Sequence, residues 1–322
     1  MAGKIRVGVL SVAKIGTVKV IPAMKNCARC EVTAIASRDI GRAEAFSALL
    51  GIPRAYGSYE ELLADPDIDA IYNPLPNHMH VEWSIRAAEA GKHVLCEKPA
   101  GLNPGEVQQM IEARNRTGVK IGEAFMIRTH PQWLRTREII RSGEIGELRT
   151  IHCVFSFFNR DPNNIRNRPE YGGGALMDIG CYPIQASRWI YGTEPRRVSA
   201  RIERDPEFGI DHTISGLLDF PNGQALFTTS MQMEPYQRVQ FFGTKGNLEI
   251  EIPFNAPPDK ETRIFVRAGS DARTETFPIC DQYTIQGDAF SAAILDGTEV
   301  PVSLEDALGN SKVMAALLAS AS

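Results

Sequence analysis

Cysteine is scarce in this chain: six thiols, at 27, 30, 96, 153, 181 and 280, in 322 residues. So few and so scattered a set excludes a disulfide-stapled scaffold and points to free thiols in a reducing, cytoplasmic setting. Cys27-Ala-Arg-Cys30 has redox spacing, but it follows a helix instead of opening one, so it lacks the dipole that lowers a thiol pKa. No apolar run approaches the roughly 20 residues needed to span a bilayer, and no membrane partner is expected. Positive charge is not in excess. Lys and Arg number 35 against 39 Asp and Glu, a net charge of −4, which argues against a nucleic-acid surface. No His, Cys and Asp group has metal-ligand spacing. His78-Met-His80 is a two-residue step at a helix start, suited to caps and cofactor contacts, and no metal is expected. There is no internal repeat or low-complexity segment. MAGKIRVGVL runs directly into a strand pattern, with no charged leader and apolar stretch ahead of it.

The composition that is present is ordinary for globular protein, 43% hydrophobic and 23% charged, and the length suits about two domains. The first third alternates strand and helix. Strand signals fall at Ile5–Leu10, Val32–Ser37, Arg54–Tyr56, Ile68–Tyr72, His93–Cys96 and Lys120–Ala124. Helical signals fall at 14–25, Gly41–Leu50, Tyr59–Ala64, His78–Ala90 and Pro104–Thr117. Repeated β-α units with near-continuous apolar strands predict a doubly wound parallel sheet of Rossmann type over 1–124, covered by helices on both faces. Beyond residue 125 the pattern changes. A helix over Gln132–Ser142 precedes strand-like runs at 148–158, 196–204, 211–220, 223–231, 237–242 and 247–252. Turn signals stand at Pro221-Asn222-Gly223 and Gly243-Thr-Lys-Gly246. Helices over 283–295 and 303–319 close the chain. This predicts an α+β domain over 125–322 with a large, mostly antiparallel open sheet, expected to bind substrate and to form oligomers. The whole is of the α/β class.

A dinucleotide fingerprint wants small residues at three places between the first strand and helix. Here those places hold Ser11, Ala13 and Gly16. The turn stays tight, and the N–H groups near Lys14 and Ile15 would point at a phosphate. The second strand ends in Ser37-Arg38 where an NAD site usually carries an acid. A guanidinium with a hydroxyl suits a 2′-phosphate, so NADP is the expected cofactor, with NAD the other option. Asp39 comes too late for the ribose and reads as the cap of the next helix.

Four motifs carry a resemblance. Leu75-Pro76-Asn77-His78 follows the strand ending at Tyr72. Glu97-Lys98-Pro99 follows His93–Cys96. Glu123-Ala-Phe-Met126 and the run Gly172-Gly-Gly-Ala-Leu-Met-Asp178-Ile-Gly-Cys-Tyr182 complete the set. Over nearly the whole chain these closely resemble the Gfo/Idh/MocA family of oxidoreductases. The resemblance implies that Lys98 is the catalytic lysine, often beside a cis bond at the position of Lys98–Pro99. It implies that Glu97 and Asn77 lie near the nicotinamide ribose, that Asp178 is an active-site acid, and that the C-terminal sheet makes a homodimer or dimer of dimers. Many members carry a His four residues after that Asp. Tyr182 stands there instead, which resembles the glucose–fructose oxidoreductase, D-xylose dehydrogenase and dihydrodiol dehydrogenase branches and departs from inositol dehydrogenase.

Hydride transfer from an alcohol needs a base for the hydroxyl proton. Tyr182 is the candidate, with Lys98 favouring its phenolate, since a free phenol titrates near 10. Asp178, four residues earlier on the same helical face, would orient the substrate or the lysine, and Pro183 predicts a kink. Leu75, His80 and Tyr283 complete the candidate cofactor contacts. Phe125, Arg128 and Arg166, with Asp178 and Tyr182, are the candidate substrate contacts. The expected reaction is NADP(H)-dependent oxidoreduction of a sugar or polyol carbinol. A trans-dihydrodiol dehydrogenase-like enzyme, or a non-catalytic dinucleotide sensor on the same fold, would share most of these features.

Overall fold

The computed structural model describes residues 3–321. By its internal contacts the chain forms two units. One runs to Thr129 and includes Asp281–Leu308; the other comprises His130–Cys280 and the residues from Gly309 on.

In the first unit, β1 (Ile5–Leu10) leads through a π-wound turn, Gly16–Val20, into α1 (Ile21–Met24). Then come β2 (Cys30–Ala36), α2 (Ile40–Leu50), β3 (Arg54–Tyr56), α3 (Tyr59–Ala64), β4 (Ala70–Asn73) and α4 (His80–Glu89). The series ends with β5 (His93–Cys96), α5 (Pro104–Thr117) and β6 (Ile121–Glu123). The strands pair in parallel in the order β3-β2-β1-β4-β5-β6. The chain reverses its direction of winding between β1 and β4, which is where such sheets open a ligand crevice at their carboxyl edge. Both faces are buried. Successive β5 residues Val94 and Leu95 enter different apolar clusters, one under α3, α4 and α5 and one under α1, as expected for strands covered on both sides. Side-chain caps set the helix starts: Asp39 accepts from the Arg42 N–H, Ser58 from Glu61 and Asn103 from Glu106. Asp39 thus caps α2, as its late position suggested.

The second unit opens with α6 (Pro131–Arg141) and β7 (Leu148–Phe158). A second π-wound turn, Leu176–Gly180, enters α7 (Cys181–Tyr191). β8 (Arg197–Arg204), β9 (Asp211–Phe220), β10 (Gly223–Ser230), β11 (Gln232–Gly243) and β12 (Gly246–Ile250) follow. Two further strands, β13 (Thr262–Ala268) and β14 (Asp271–Phe277), extend the sheet beyond the runs expected from sequence. The order is β14-β13-β12-β11-β7-β10-β9-β8, antiparallel throughout except for the β7–β10 pair. Its core is aromatic: fully buried Trp133 packs on Phe241 and Phe254, and its indole N–H donates to the Pro253 carbonyl at 2.6 Å. α8 (Gln282–Leu295) belongs to the first unit, and α9 (Leu304–Ser320) runs from the first into the second.

Candidate functional site

The carboxyl edge of the parallel sheet collects most of the residues singled out from sequence. Ser11 follows β1 at φ +73°, the one non-glycine among the described residues with positive φ, and its Oγ accepts from the Ala13 N–H at 3.2 Å. The turn is therefore as tight as a glycine turn. Winding begins at Lys14, which is exposed, and no side chain caps the N–H groups of this first turn. A Cβ at Gly16 would sit 3.6 Å from both the Tyr72 ring and Pro74, so the helix start lies close against the end of β4. A hydrogen-bonded turn with uncapped N–H groups and an exposed lysine beside them fits a pyrophosphate. After β2, Ser37 is buried and its Oγ accepts from Asp39 N–H. Arg38 is exposed and stands beside the Tyr59 phenol, whose pKa burial raises and the guanidinium partly offsets.

Beyond β4 and β5 two loops are fastened together by His80. Its Nε2 lies 2.7 Å from the Leu75 carbonyl and its Nδ1 2.8 Å from that of Pro99. Burial, with Lys98 and His78 nearby, pushes the ring down to about 4. Both carbonyls favour a ring N–H and so oppose that shift. His80 is 1% exposed. Sequence placed it among the cofactor contacts; the structure puts it beneath the loops, where it holds Leu75 and Pro99 in place. Asn77 opens the short turn Asn77–Met79, and Lys98, half-buried, precedes Pro99 across a cis bond. Glu97 accepts a 2.7 Å hydrogen bond from the Tyr72 hydroxyl. Tyr283, in the first turn of α8, stands close enough to Glu97 that burial first and that carboxylate next raise its pKa.

Two expected substrate contacts are otherwise engaged in this unit. Phe125 is 1% exposed, within the core, and Arg128 makes a 2.6 Å ion pair with Asp306.

In the second unit the glycine run has a geometric reason. Gly174 has φ +116°, and a Cβ on it would overlap Asp211 Oδ1; one on Gly173 would overlap the Arg166 carbonyl. Asp211, at the start of β9, accepts from the Leu176 N–H at 2.6 Å and so fixes the entry to the π turn. Burial pushes its carboxyl up to about 6, against the pull of those N–H groups. Asp178 lies in this turn and pairs with Arg166 Nε at 2.7 Å. Tyr182 follows in the first turn of α7 with its ring against Phe155 and Phe254. The expected break is present, but it lies ahead of Pro183 as a π turn.

Arg166, Asp178 and Tyr182 are thus gathered within one unit, and the phosphate turn, Arg38, Asn77, Glu97, Lys98 and Tyr283 within the other. Sequence reasoning missed Tyr72 and Asp211. One sits in an apolar run and the other at a strand start, and neither position marks them.

A parallel sheet of this order with such a turn defines a dinucleotide-binding body. Comparison with known proteins agrees. Residues 5–125 match the model of the oxidoreductase family with an NAD-binding Rossmann fold, and residues 133–249 match the GFO/IDH/MocA C-terminal domain. An oxidoreductase of Rhizobium meliloti, itself uncharacterised, is 49% identical over 98% of this chain and 97% of its own length. D-xylose 1-dehydrogenase (NADP(+)) 2 of Haloferax volcanii is 39% identical over 98% of this chain and 96% of its own. The crystal structure of KijD10, a 3-ketoreductase from Actinomadura kijaniata in complex with NADP and TDP-benzene, superposes with TM-score 0.93 at 31% identity. That match covers 99% of this chain and 98% of that one. The chain belongs to the Gfo/Idh/MocA family and is an NAD(P)-dependent oxidoreductase acting on CH–OH groups. Among the described residues no helix is long and apolar enough to cross a membrane.

Proposed function

We propose that the chain is an NADP(H)-dependent dehydrogenase or reductase of a sugar or polyol carbinol, with Tyr182 as acid/base assisted by Lys98 and Asp178. The observation that carries this reading is the carboxyl edge of the parallel sheet. There Ser11, Arg38, Asn77 and Lys98 come within four residues of the ends of β1, β2, β4 and β5, at the position where open α/β sheets bind ligands. Arg38 is the group for the 2′-phosphate, supported by the NADP named for the xylose dehydrogenase and for the ketoreductase.

When bound, the nicotinamide accepts or returns the hydride. In oxidation the Tyr182 phenolate takes the hydroxyl proton of the carbinol as the carbon gives up its hydride. In reduction the same phenol donates it to the new alkoxide oxygen. Lys98 contributes an ammonium that favours the phenolate and polarises the substrate oxygen. Asp178, paired with Arg166, accepts from a substrate hydroxyl and orients it. The ketoreductase has also been solved with a single lysine or a single tyrosine replaced, the two residue types proposed here for the proton chemistry. The C-terminal sheet, whose open face carries exposed Leu226, Phe158 and Tyr236, is the proposed homodimer surface, and the cytoplasm the proposed compartment.

The test is a panel of aldoses and polyols scanned by nicotinamide absorbance with NADP+ and NAD+. Turnover is expected with at least one sugar, falling by about a hundredfold or more in K98M and in Y182F, as loss of a positioned acid/base group requires. R38A should weaken kcat/KM for NADP+ about a hundredfold and leave NAD+ nearly unchanged, since a charge-assisted pair to phosphate is lost. Full activity in K98M and Y182F together would overturn the assignment.

A further inference from the structure

Tyr72 is the last but one residue of β4, in the strand next to β1 and β5. It is fully buried, yet it is a tyrosine where the surrounding run, Ile68 to Tyr72, calls only for an apolar side chain. Its two ends meet two different parts of the carboxyl edge. The ring stands 3.6 Å from where a Cβ on Gly16 would lie, at the start of the phosphate turn. The hydroxyl donates to Glu97 Oε1 at 2.7 Å.

A glutamate carboxylate has three side-chain torsions, and its orientation is set by the groups that hold its oxygens. A phenol fixed by complete burial removes that freedom, because the ring cannot follow the carboxylate. Burial, and next the Glu97 charge, raise the Tyr72 pKa well above its ordinary value. The hydroxyl therefore stays protonated and remains a donor at every working pH. A buried hydroxyl must also have a partner, so the pair locks in both directions.

We propose that Tyr72 is a positioning residue for cofactor binding: it fixes the Glu97 carboxylate in the orientation that receives the nicotinamide-side ribose. This rests on the reading above that Glu97 meets that ribose. The residue would touch no substrate and no cofactor. Its effect would be confined to the nicotinamide half of the dinucleotide, since the adenosine half belongs to Arg38 and the β2 edge.

The experiment uses the whole chain and two probes, measured by calorimetric or fluorescence titration without turnover. NADP+ spans both halves of the crevice; 2′,5′-ADP spans only the adenosine side. Y72F removes one oxygen and keeps the ring against Gly16. It is expected to weaken NADP+ about tenfold, to leave 2′,5′-ADP unchanged, and to unfold at the wild-type temperature within a few degrees. E97A should weaken NADP+ at least as much, and adding Y72F to E97A should cost nothing further. NADP+ binding unchanged in Y72F while E97A loses affinity would overturn the role of Tyr72. Loss of both probes in Y72F would also overturn it, marking a general scaffold residue. NADP+ binding unchanged in E97A would instead sink the reading of Glu97 on which the proposal stands.

Discussion

Asp211 shows how a single side chain can fix a candidate catalytic segment without taking part in the chemistry. It reaches from β9 to the backbone N–H of Leu176, and the chain can deliver that N–H only because Gly174 adopts φ +116° with no Cβ in the way. An alanine at 174 meets two penalties at once. Its backbone must hold a conformation that L-residues rarely adopt, and its Cβ must displace the carboxylate that caps the turn. We expect G174A to lose at least about 2 kcal/mol of stability and to lose activity even at temperatures where it remains folded, because Asp178 moves with the turn. Thermal unfolding and kcat measured side by side check both parts; wild-type kcat in a folded G174A would refute the link from Asp211 to Asp178. The partner residue of this device was invisible beforehand. Asp178 stands in a motif, whereas Asp211 stands 33 residues further along at the opening of a strand, where an acid usually means a turn.

At the scale of elements, the two π-wound turns have a common cause. Gly16–Val20 precedes Pro22 and Leu176–Gly180 precedes Pro183. In each case the proline lacks the N–H that would serve the carbonyl four residues back, Val18 in one and Ile179 in the other. The winding loosens by one residue where that bond is missing, and such bulges gather at functional sites. One of these turns carries the phosphate-turn glycine and the other carries Asp178. P183A should restore the missing donor and let the segment tighten toward α winding, rotating Asp178 relative to Tyr182. A misplacement of about 1 Å can cost roughly a hundredfold in rate, so kcat should fall at least about tenfold while the unfolding temperature is kept or raised. Unchanged kcat in P183A would separate the π turn from the chemistry. The strands of the parallel sheet were legible because each is a short apolar run closed by a polar turn, and the strand-end motifs were legible for the same reason. β14 was not. Asp271–Phe277 reads DARTETF, an exposed edge strand with β13 as its one strand neighbour, so it offers no hydrophobic period to read. The return of Asp281–Leu308 to the first unit was equally silent, since a helix does not state in its sequence which core it covers.

For the molecule as a whole, buried titratable groups set the response to acid. Burial pushes His80 and His130 down to about 4 and Asp211 up to about 6. An unfolded histidine takes its proton near 6.5. Between 6.5 and 4 the unfolded chain therefore holds two protons that the folded chain does not, and stability falls as the pH falls. Asp211 works in the opposite sense. From about 6 down to its unfolded value near 4 the folded state holds the proton, so acid favours folding through that group. The three together leave two minus one, or one, excess proton on the unfolded chain, worth about 1.4 kcal/mol per pH unit over this range. His93, also lowered by burial, adds to the loss. Asp69, Glu275 and Glu305, each held below the usual carboxylate range first by an arginine partner, add theirs only at lower pH, when their ion pairs are protonated. The unfolding temperature should therefore be highest near neutrality, decline between pH 6.5 and 4, and fall more steeply below. His130 isolates one of these contributions. Its Nδ1 accepts from the Gln132 N–H as the cap of α6, and asparagine is among the best residues for that task. H130N should thus fold normally and lose about one proton's worth of the slope between pH 6.5 and 4. An H130N curve parallel to wild type across that interval would mean that His130 is not neutral in the folded chain.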